Sequence, residues 1–330
     1  MNIHDIIKKS SNSEQFTRQE VVAMLALAPH SFETYGIMAE ASRISREVSG
    51  NRAEIHAQLA VNLAQCPRNC LFCSFAMAND IFQTSAVLSP AEAAAQALQF
   101  EQDGSNAIYV MATATLDMGL YLELSQKIRR QLHSDTILIA NVGDEFATRA
   151  INLVQAGFKG VYHAVRLGEG VDTTISATSR MESIRAFQEV GLAIGTCVEP
   201  IGPEHTNEEL ADSIRFTASF YPAFSGAARR IPIPGTPLAG RGMISELRMA
   251  QIAAVTRLAM PRCVTGNCSH EPGTVPILGG SNLLWAEAGG NPRDTREKTE
   301  EGRGHSVSAI RTLFEETEWQ MLEGPSYFFE

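Results

Sequence analysis

An α/β chain closed into a (β/α)8 barrel of the TIM type, preceded by a helical extension, is the fold class this sequence predicts. Three observations carry the prediction. Short apolar runs alternate with amphipathic helical stretches about eight times after residue 55, helix start and stop signals fall between them, and no Gly-rich dinucleotide loop follows the first run. Repeated β-α units of roughly 30 residues imply a parallel sheet with right-handed crossovers, and eight of them favour a barrel over the doubly wound open sheet, which is the second choice.

Residues 1–55 read as the helical extension, with apolar residues at helical spacing in Val21-Val22-Met24-Leu25 and Ile37-Met38-Ala41-Ile44. The strand-like runs cover 58–63, 107–111, 137–141, 160–165, 193–198 and 227–233, then a weak one near Cys263, and 282–285. Between them Ser89-Pro90-Ala91-Glu92 and Thr206-Asn207-Glu208-Glu209 place a capping hydroxyl three residues before a Glu. Gly157 and Gly191 sit where left-handed helix ends belong. The barrel is assigned to 56–295 and a C-terminal helical segment packed on it to 296–330. One large domain of 330 residues is as good a reading as two.

Hydrophobic residues make up 44% and charged residues 19%, and neither a stretch of about 18 apolar residues nor a leader at Met1 is present. A cytoplasmic protein with no membrane partner is expected. The formal charge is −10 with scattered basic residues, so the footprint that nucleic acid demands is missing. Six cysteines in such a chain, three of them between Cys66 and Cys73, favour metal binding over disulfides.

The run Cys66-Pro-Arg-Asn-Cys70-Leu-Phe-Cys73 follows the first strand-like run, at the end of a barrel strand where active sites are built. Three thiolates at this spacing bind three irons of a cubane and leave the fourth open. Structural zinc sites usually pair two cysteines with a second, more distant pair; a zinc knuckle or a purely electron-transferring cluster are the other readings.

This Cys-x3-Cys-x-aromatic-Cys pattern resembles the radical S-adenosylmethionine (SAM) superfamily, and within it the biotin synthase-like group, which includes methylornithine synthase and the maturase of iron-only hydrogenase. Pro234-Gly235-Thr236-Pro237-Leu238-Ala239, Arg257-Leu258-Ala259-Met260-Pro261 and Gly279-Gly280-Ser281-Asn282-Leu283-Leu284-Trp285 are similar to segments of biotin synthase. The likeness covers roughly residues 55 to 290. It implies a 4Fe-4S cluster on Cys66, Cys70 and Cys73, with SAM on the open iron and Phe72 beside adenine. It further implies that Ala112 and Thr113 receive the SAM amino group, that Arg180 pairs with its carboxylate, and that Glu199 and Ile201 lie beside adenine.

Each of these has a plainer alternative. Arg180 also reads as a solvated residue at a helix start, and Asn141 and Asp144 either contact ribose or substrate or cap the next helix. Of His163 and Arg166, three apart on a predicted strand, at most one points inward; Arg166 is the better anion contact and His163 the better packing residue. Arg229 and Arg230 are adjacent, so one faces inward toward an anionic substrate. Glu287, Asn291 and Asp294 are either substrate contacts or loop caps.

Two of the further cysteines that biotin synthase uses for a second cluster correspond here to Val110 and Asn141, which argues against biotin synthase itself. Cys197, Cys263 and Cys268, with His270 two residues on, nevertheless stand near strand ends, and a possible second iron-sulfur cluster is assigned to the three. Cys197 taken alone also reads as a small buried hydrophobe. With that cluster the resemblance implies sulfur insertion of the kind made by biotin synthase-like lipoyl synthases. Without it, a carbon-skeleton rearrangement or metallocofactor maturation follows; a non-enzymatic electron carrier is disfavoured by the size of the scaffold. The implied partners are a small-molecule or acyl-carrier-protein-bound substrate and an electron donor such as ferredoxin or flavodoxin.

Overall fold

A computed structural model describes residues 3–329 of the chain. Helices α1 (Ile3–Ser11), α2 (Arg18–Leu25) and α3 (Phe32–Val48) precede strand β1 (Arg52–Ala60). A small antiparallel pair, β2 (Asn62–Leu63) and β3 (Ala86–Val87), flanks the cysteine run. There follow α4 (Pro90–Gln102), β4 (Ala107–Met111), α5 (Met118–Gln131), β5 (Ile137–Asn141), α6 (Ala150–Gln155), β6 (Gly160–Tyr162) and α7 (Ala177–Glu189). Next come β7 (Ala193–Gly195), β8 (Val198–Ile201), α8 (Asn207–Ala218), β9 (Phe224–Arg229), α9 (Glu246–Ala259) and β10 (Gly266–Ser269). The chain ends with α10 (Thr274–Leu278), β11 (Leu283–Ala288), α11 (Val307–Glu315) and β12 (Gln320–Met321).

Parallel pairing runs β10-β11-β1-β4-β5-β6-β7-β9, and β9 pairs back onto β10. The sheet is therefore a closed barrel. Strands β7 and β8 form one interrupted stave beside β9, which makes eight. Helix starts carry the expected chemistry: Ser89 with Glu92 and Thr206 with Glu209 are reciprocal capping boxes. Gly157 and Gly191 end helices at φ of 96° and 84°.

Strand limits differ from the sequence reading for a common reason, namely polar residues inside the barrel. Strand β1 starts at Arg52 because Glu54 and His56 are buried and paired, His56 Nε2 lying 2.8 Å from Glu54 and Nδ1 2.9 Å from the Tyr109 hydroxyl. Strand β9 begins at Phe224 and includes Ser225 and Gly226, and β10 is Gly-Asn-Cys-Ser. None of these has the β-branched composition that announces a strand. The fourth stave ends at Tyr162, so His163 and Arg166 belong to the loop that follows.

Apolar packing divides into a shell between strands and helices and a separate interior. Tyr109, Tyr162, Phe224, Trp285, Phe328 and Phe329 fill the interior, the last two supplied by the end of the chain. Helix α9 is buried along Met249 to Leu258, because α2 and α3 cover the side that would otherwise face water. No helix among the described residues is long and apolar enough to cross a membrane.

Candidate active site at the cysteine loop

The carboxyl ends of the staves surround a cavity of about 210 Å³. One wall is the loop holding Cys66, Cys70 and Cys73, each half-buried. Backbone bonds from elsewhere fix this loop: Leu71 N–H donates to Asp172 O (2.8 Å), Ser74 N–H to Pro292 O (3.0 Å) and Thr174 N–H to Arg68 O (3.1 Å). The Asn79 amide donates to the carbonyls of Cys70 and Cys73 at 3.2 and 2.8 Å. Burial pushes the Cys70 thiol up to about 11 and Cys73 up to about 12, against the pull of the Arg166 guanidinium. Deprotonation therefore calls for a metal at the sulfurs, as thiolate ligation generally does. Three soft donors sharing one wall of a cavity fit an iron-sulfur group with a corner left for a ligand.

Phe72, Ala112, Thr113, Asn141, Arg166, Arg180 and Glu199 all line the same cavity. Each has a fixed setting. The Thr113 backbone N–H is already used, donating to Asn62 Oδ1 at 2.9 Å, while Asn62 Nδ2 donates to Thr113 Oγ1 at 2.7 Å. Asn141 Nδ2 donates to Gln58 Oε1 at 2.7 Å. Arg166 Nε lies 3.1 Å from Glu199, whose other oxygen accepts from the Tyr162 hydroxyl at 2.9 Å.

Arg180 is buried and doubly engaged, 3.4 Å from Asp144 and 3.4 Å from Glu169. Asp144 also accepts from His163 Nε2 at 2.8 Å and Ser183 at 2.7 Å. Burial works to raise the Asp144 carboxyl, but these partners hold it well below the usual carboxylate range. His163 is buried against Phe187 and stays neutral, since burial depresses it. Arg230 is committed to Glu204 through both terminal nitrogens. Arg180, Arg229 and Arg230 all line the cavity and have a buried Nε without a hydrogen-bond partner, but Arg229 alone of the three has no carboxylate within ion-pair distance among the described residues.

Two expectations are corrected. Ile201 does not reach the cavity; it is 1% exposed and packs outward with Leu210, Ala211 and Ile214 of α8. Val198 pairs with Ala227 and Ile201 with Arg229, so three steps on β8 oppose two on β9, and this bulge turns Ile201 away from the side of Glu199. Cys263 is exposed on the connection from α9 to β10, before the strand and not beyond it, so it is at the wrong end of the stave to join Cys197 and Cys268. Those two are buried with sulfurs 2.7 Å apart, and His270 completes a group whose donor atoms all lie within 4.8 Å. The three-cysteine second cluster is not assembled.

The sequence reading passed over Gln58, Tyr162 and Arg293, which also line the cavity. Gln58 and Tyr162 are polar interruptions in apolar runs near strand ends, a signal that was present. Arg293 lies in a loop and is placed by its ion pair to Glu271.

A parallel (β/α)8 barrel with a three-cysteine loop after its first stave defines the radical SAM class of barrel enzyme. Comparison with known proteins agrees. Biotin synthase of Streptomyces avermitilis is 23% identical over 270 residues, 78% of this chain and 68% of its own. Biotin synthase of Pelotomaculum thermopropionicum is 22% identical over 305 residues, 85% and 91%. The crystal structure of methylornithine synthase (PylB) superposes with a TM-score of 0.81 at 16% identity, covering 98% of both chains, and that of HydG, a maturase of the [FeFe]-hydrogenase, with 0.79 at 17%, covering 97% of this chain and 75% of the other. No family model matches the chain. The chain thus resembles radical SAM enzymes, being similar in sequence to biotin synthases and in fold to methylornithine synthase and HydG. That class implies a 4Fe-4S cluster and SAM as its cofactors.

Proposed function

We propose that this enzyme abstracts hydrogen from a small substrate bearing a carboxylate or comparable anion and leads it into a carbon-skeleton rearrangement. The observation that carries the reading is Arg229, a cavity-lining guanidinium with no carboxylate partner among the described residues, in a site where Arg180 and Arg230 are already neutralised. A planar cation so placed matches a carboxylate with paired hydrogen bonds. The sulfur-insertion reading depended on three converging cysteines, and Cys263 does not join them.

When bound at Cys66, Cys70 and Cys73, the cluster would supply the electron that splits SAM, fed by a donor such as ferredoxin or flavodoxin. The chain's own residues do the positioning. Phe72 offers an aromatic face to adenine, and Asn141, oriented by Gln58, presents its free carbonyl oxygen to ribose. The Ala112–Thr113 backbone accepts from the amino end of SAM, and Arg166 balances Glu199 beside Cys70. Phe75, Met111, Ile231 and Ile233 form the apolar part of the wall and keep water from reactive groups.

Cys70→Ala protein, reconstituted anaerobically, is expected to bind less than a full cubane of iron and to form no 5′-deoxyadenosine. Wild type should form it faster in the presence of an amino or carboxylic acid than with neutral analogues. SAM cleavage at the wild-type rate in Cys70→Ala overturns the cluster assignment. Stimulation confined to acyl-carrier-protein substrates, with sulfur in the product, overturns the rearrangement.

A further inference from the structure

Beneath the cavity floor, Cys197, Cys268 and His270 bring together two sulfurs and one imidazole from the two staves that flank β9. Cys197 stands at the break between β7 and β8, Cys268 on β10, and His270 just past the end of β10. Cys197 and Cys268 are 2% and 0% exposed within the barrel interior, and His270 reaches the cavity surface. We propose that these three residues bind one divalent zinc ion whose fourth position opens toward the cavity.

The chemistry of the donor set selects this kind of ion. Two thiolates and an imidazole are the ligands of an open zinc site, in which three protein donors leave one place for water or a substrate heteroatom. A second iron-sulfur cube asks for more thiolates, and Cys263 is out of reach. Tetrahedral bonds of about 2.3 Å to sulfur put two ligating sulfurs about 3.7 Å apart. From 2.7 Å they must separate by about 1 Å, a displacement that modest side-chain torsions supply. Two thiol protons leave as the metal binds.

The surroundings support a metal ligand better than a packing cluster. The His270 ring stacks on Trp285 with centroids 4.3 Å apart and planes within 9°, and Nε2 is 3.2 Å from the Tyr162 hydroxyl, which donates onward to Glu199. A ring held in one plane with a hydrogen-bonded neighbour is how histidine ligands are oriented. Gly226 has φ +152°, and a β-carbon there would lie 2.1 Å from the Cys268 carbonyl oxygen, so β9 closes tightly on the backbone that carries this thiol. The open side meets Tyr162 and Glu199, which places the fourth ligand in the substrate cavity. Its natural occupant besides water is an amine, hydroxyl or thiol of the substrate.

Zinc analysis of protein purified anaerobically without chelator tests this, read alongside iron and acid-labile sulfide. About one zinc per chain is expected, with two sulfur scatterers and at least one nitrogen or oxygen at the zinc absorption edge. Cys268→Ala and His270→Ala should lose the zinc and keep the cubane iron, while Cys263→Ser keeps the zinc, the cubane iron and SAM cleavage. The edge measurement on wild type stands even if a variant fails to fold. Absence of zinc, with Cys197 and Cys268 recovered as free thiols or as a disulfide, overturns the proposal. So does additional iron and sulfide that disappears in Cys268→Ala. Neither result bears on the cluster at Cys66, Cys70 and Cys73.

Discussion

Arg180 and Arg229 face one cavity, yet their surroundings assign them different work. Two carboxylates already hold Arg180, so its charge organises Asp144 and His163. Arg229 donates only to the Ile244 carbonyl at 3.3 Å, and its remaining N–H groups have an anion to gain. Losing a charged hydrogen bond costs about 1.5–3 kcal/mol. Arg229→Ala should therefore raise the KM for an anionic substrate roughly tenfold to a hundredfold, with Lys recovering only part because it lacks the planar fork. Cluster iron should be unchanged. An unaltered KM in Arg229→Ala transfers the anion contact to Arg166 or Arg293.

Helix α9 shows how far an element can depend on neighbours remote in sequence. Its Gln251 side chain donates to the carbonyls of Met24 and Leu27 at 3.1 and 3.0 Å, and Arg248 donates to Leu25 at 2.6 Å. These are carbonyls at the end of α2, which the helix itself leaves unsatisfied. The extension is thus bolted to the barrel by polar bonds as well as by Ile37, Met38, Ala41 and Ile44. Gln251→Leu removes these two bonds in a buried place, together with those to Arg248 and Thr34, and chemical denaturation should show a loss of about 1–3 kcal/mol. A loss below about 0.5 kcal/mol would mean that the extension can shift and let water reach those carbonyls.

At the scale of the whole molecule, a buried neutral histidine links stability to pH. Burial lowers the His163 pKa below its ordinary 6.5, so below pH 6.5 the unfolded chain takes up a proton that the folded chain refuses. Stability contributed by this group is therefore present above 6.5 and is lost as pH falls from 6.5 toward the lower folded value. The denaturant midpoint should drop between pH 7.5 and 5.5, and by less in His163→Gln. An equal drop in both proteins would assign the acid sensitivity to other groups.

What the sequence by itself determined is what lies close together along the chain. The cysteine loop is legible because all three sulfurs belong to one turn of chain, and the capping boxes because donor and acceptor are three residues apart. The barrel follows from a repeated apolar rhythm, although Glu54, His56 and the Gly-Asn-Cys-Ser strand obscure some limits, since their polar groups are satisfied only by partners across the interior. Tertiary structure alone decided which arginine is left without a carboxylate, because Asp144 and Glu204 reach their partners from loops of other staves. It also decided which cysteines meet. Cys263 is five residues from Cys268 yet sits at the opposite end of the strand, whereas Cys197 is 71 residues away and in contact. Closure of parallel staves sets that distance: strands from two separate β-α units come side by side, and a shift of a few residues along either one moves a thiol from the cavity floor to the outer end of the barrel.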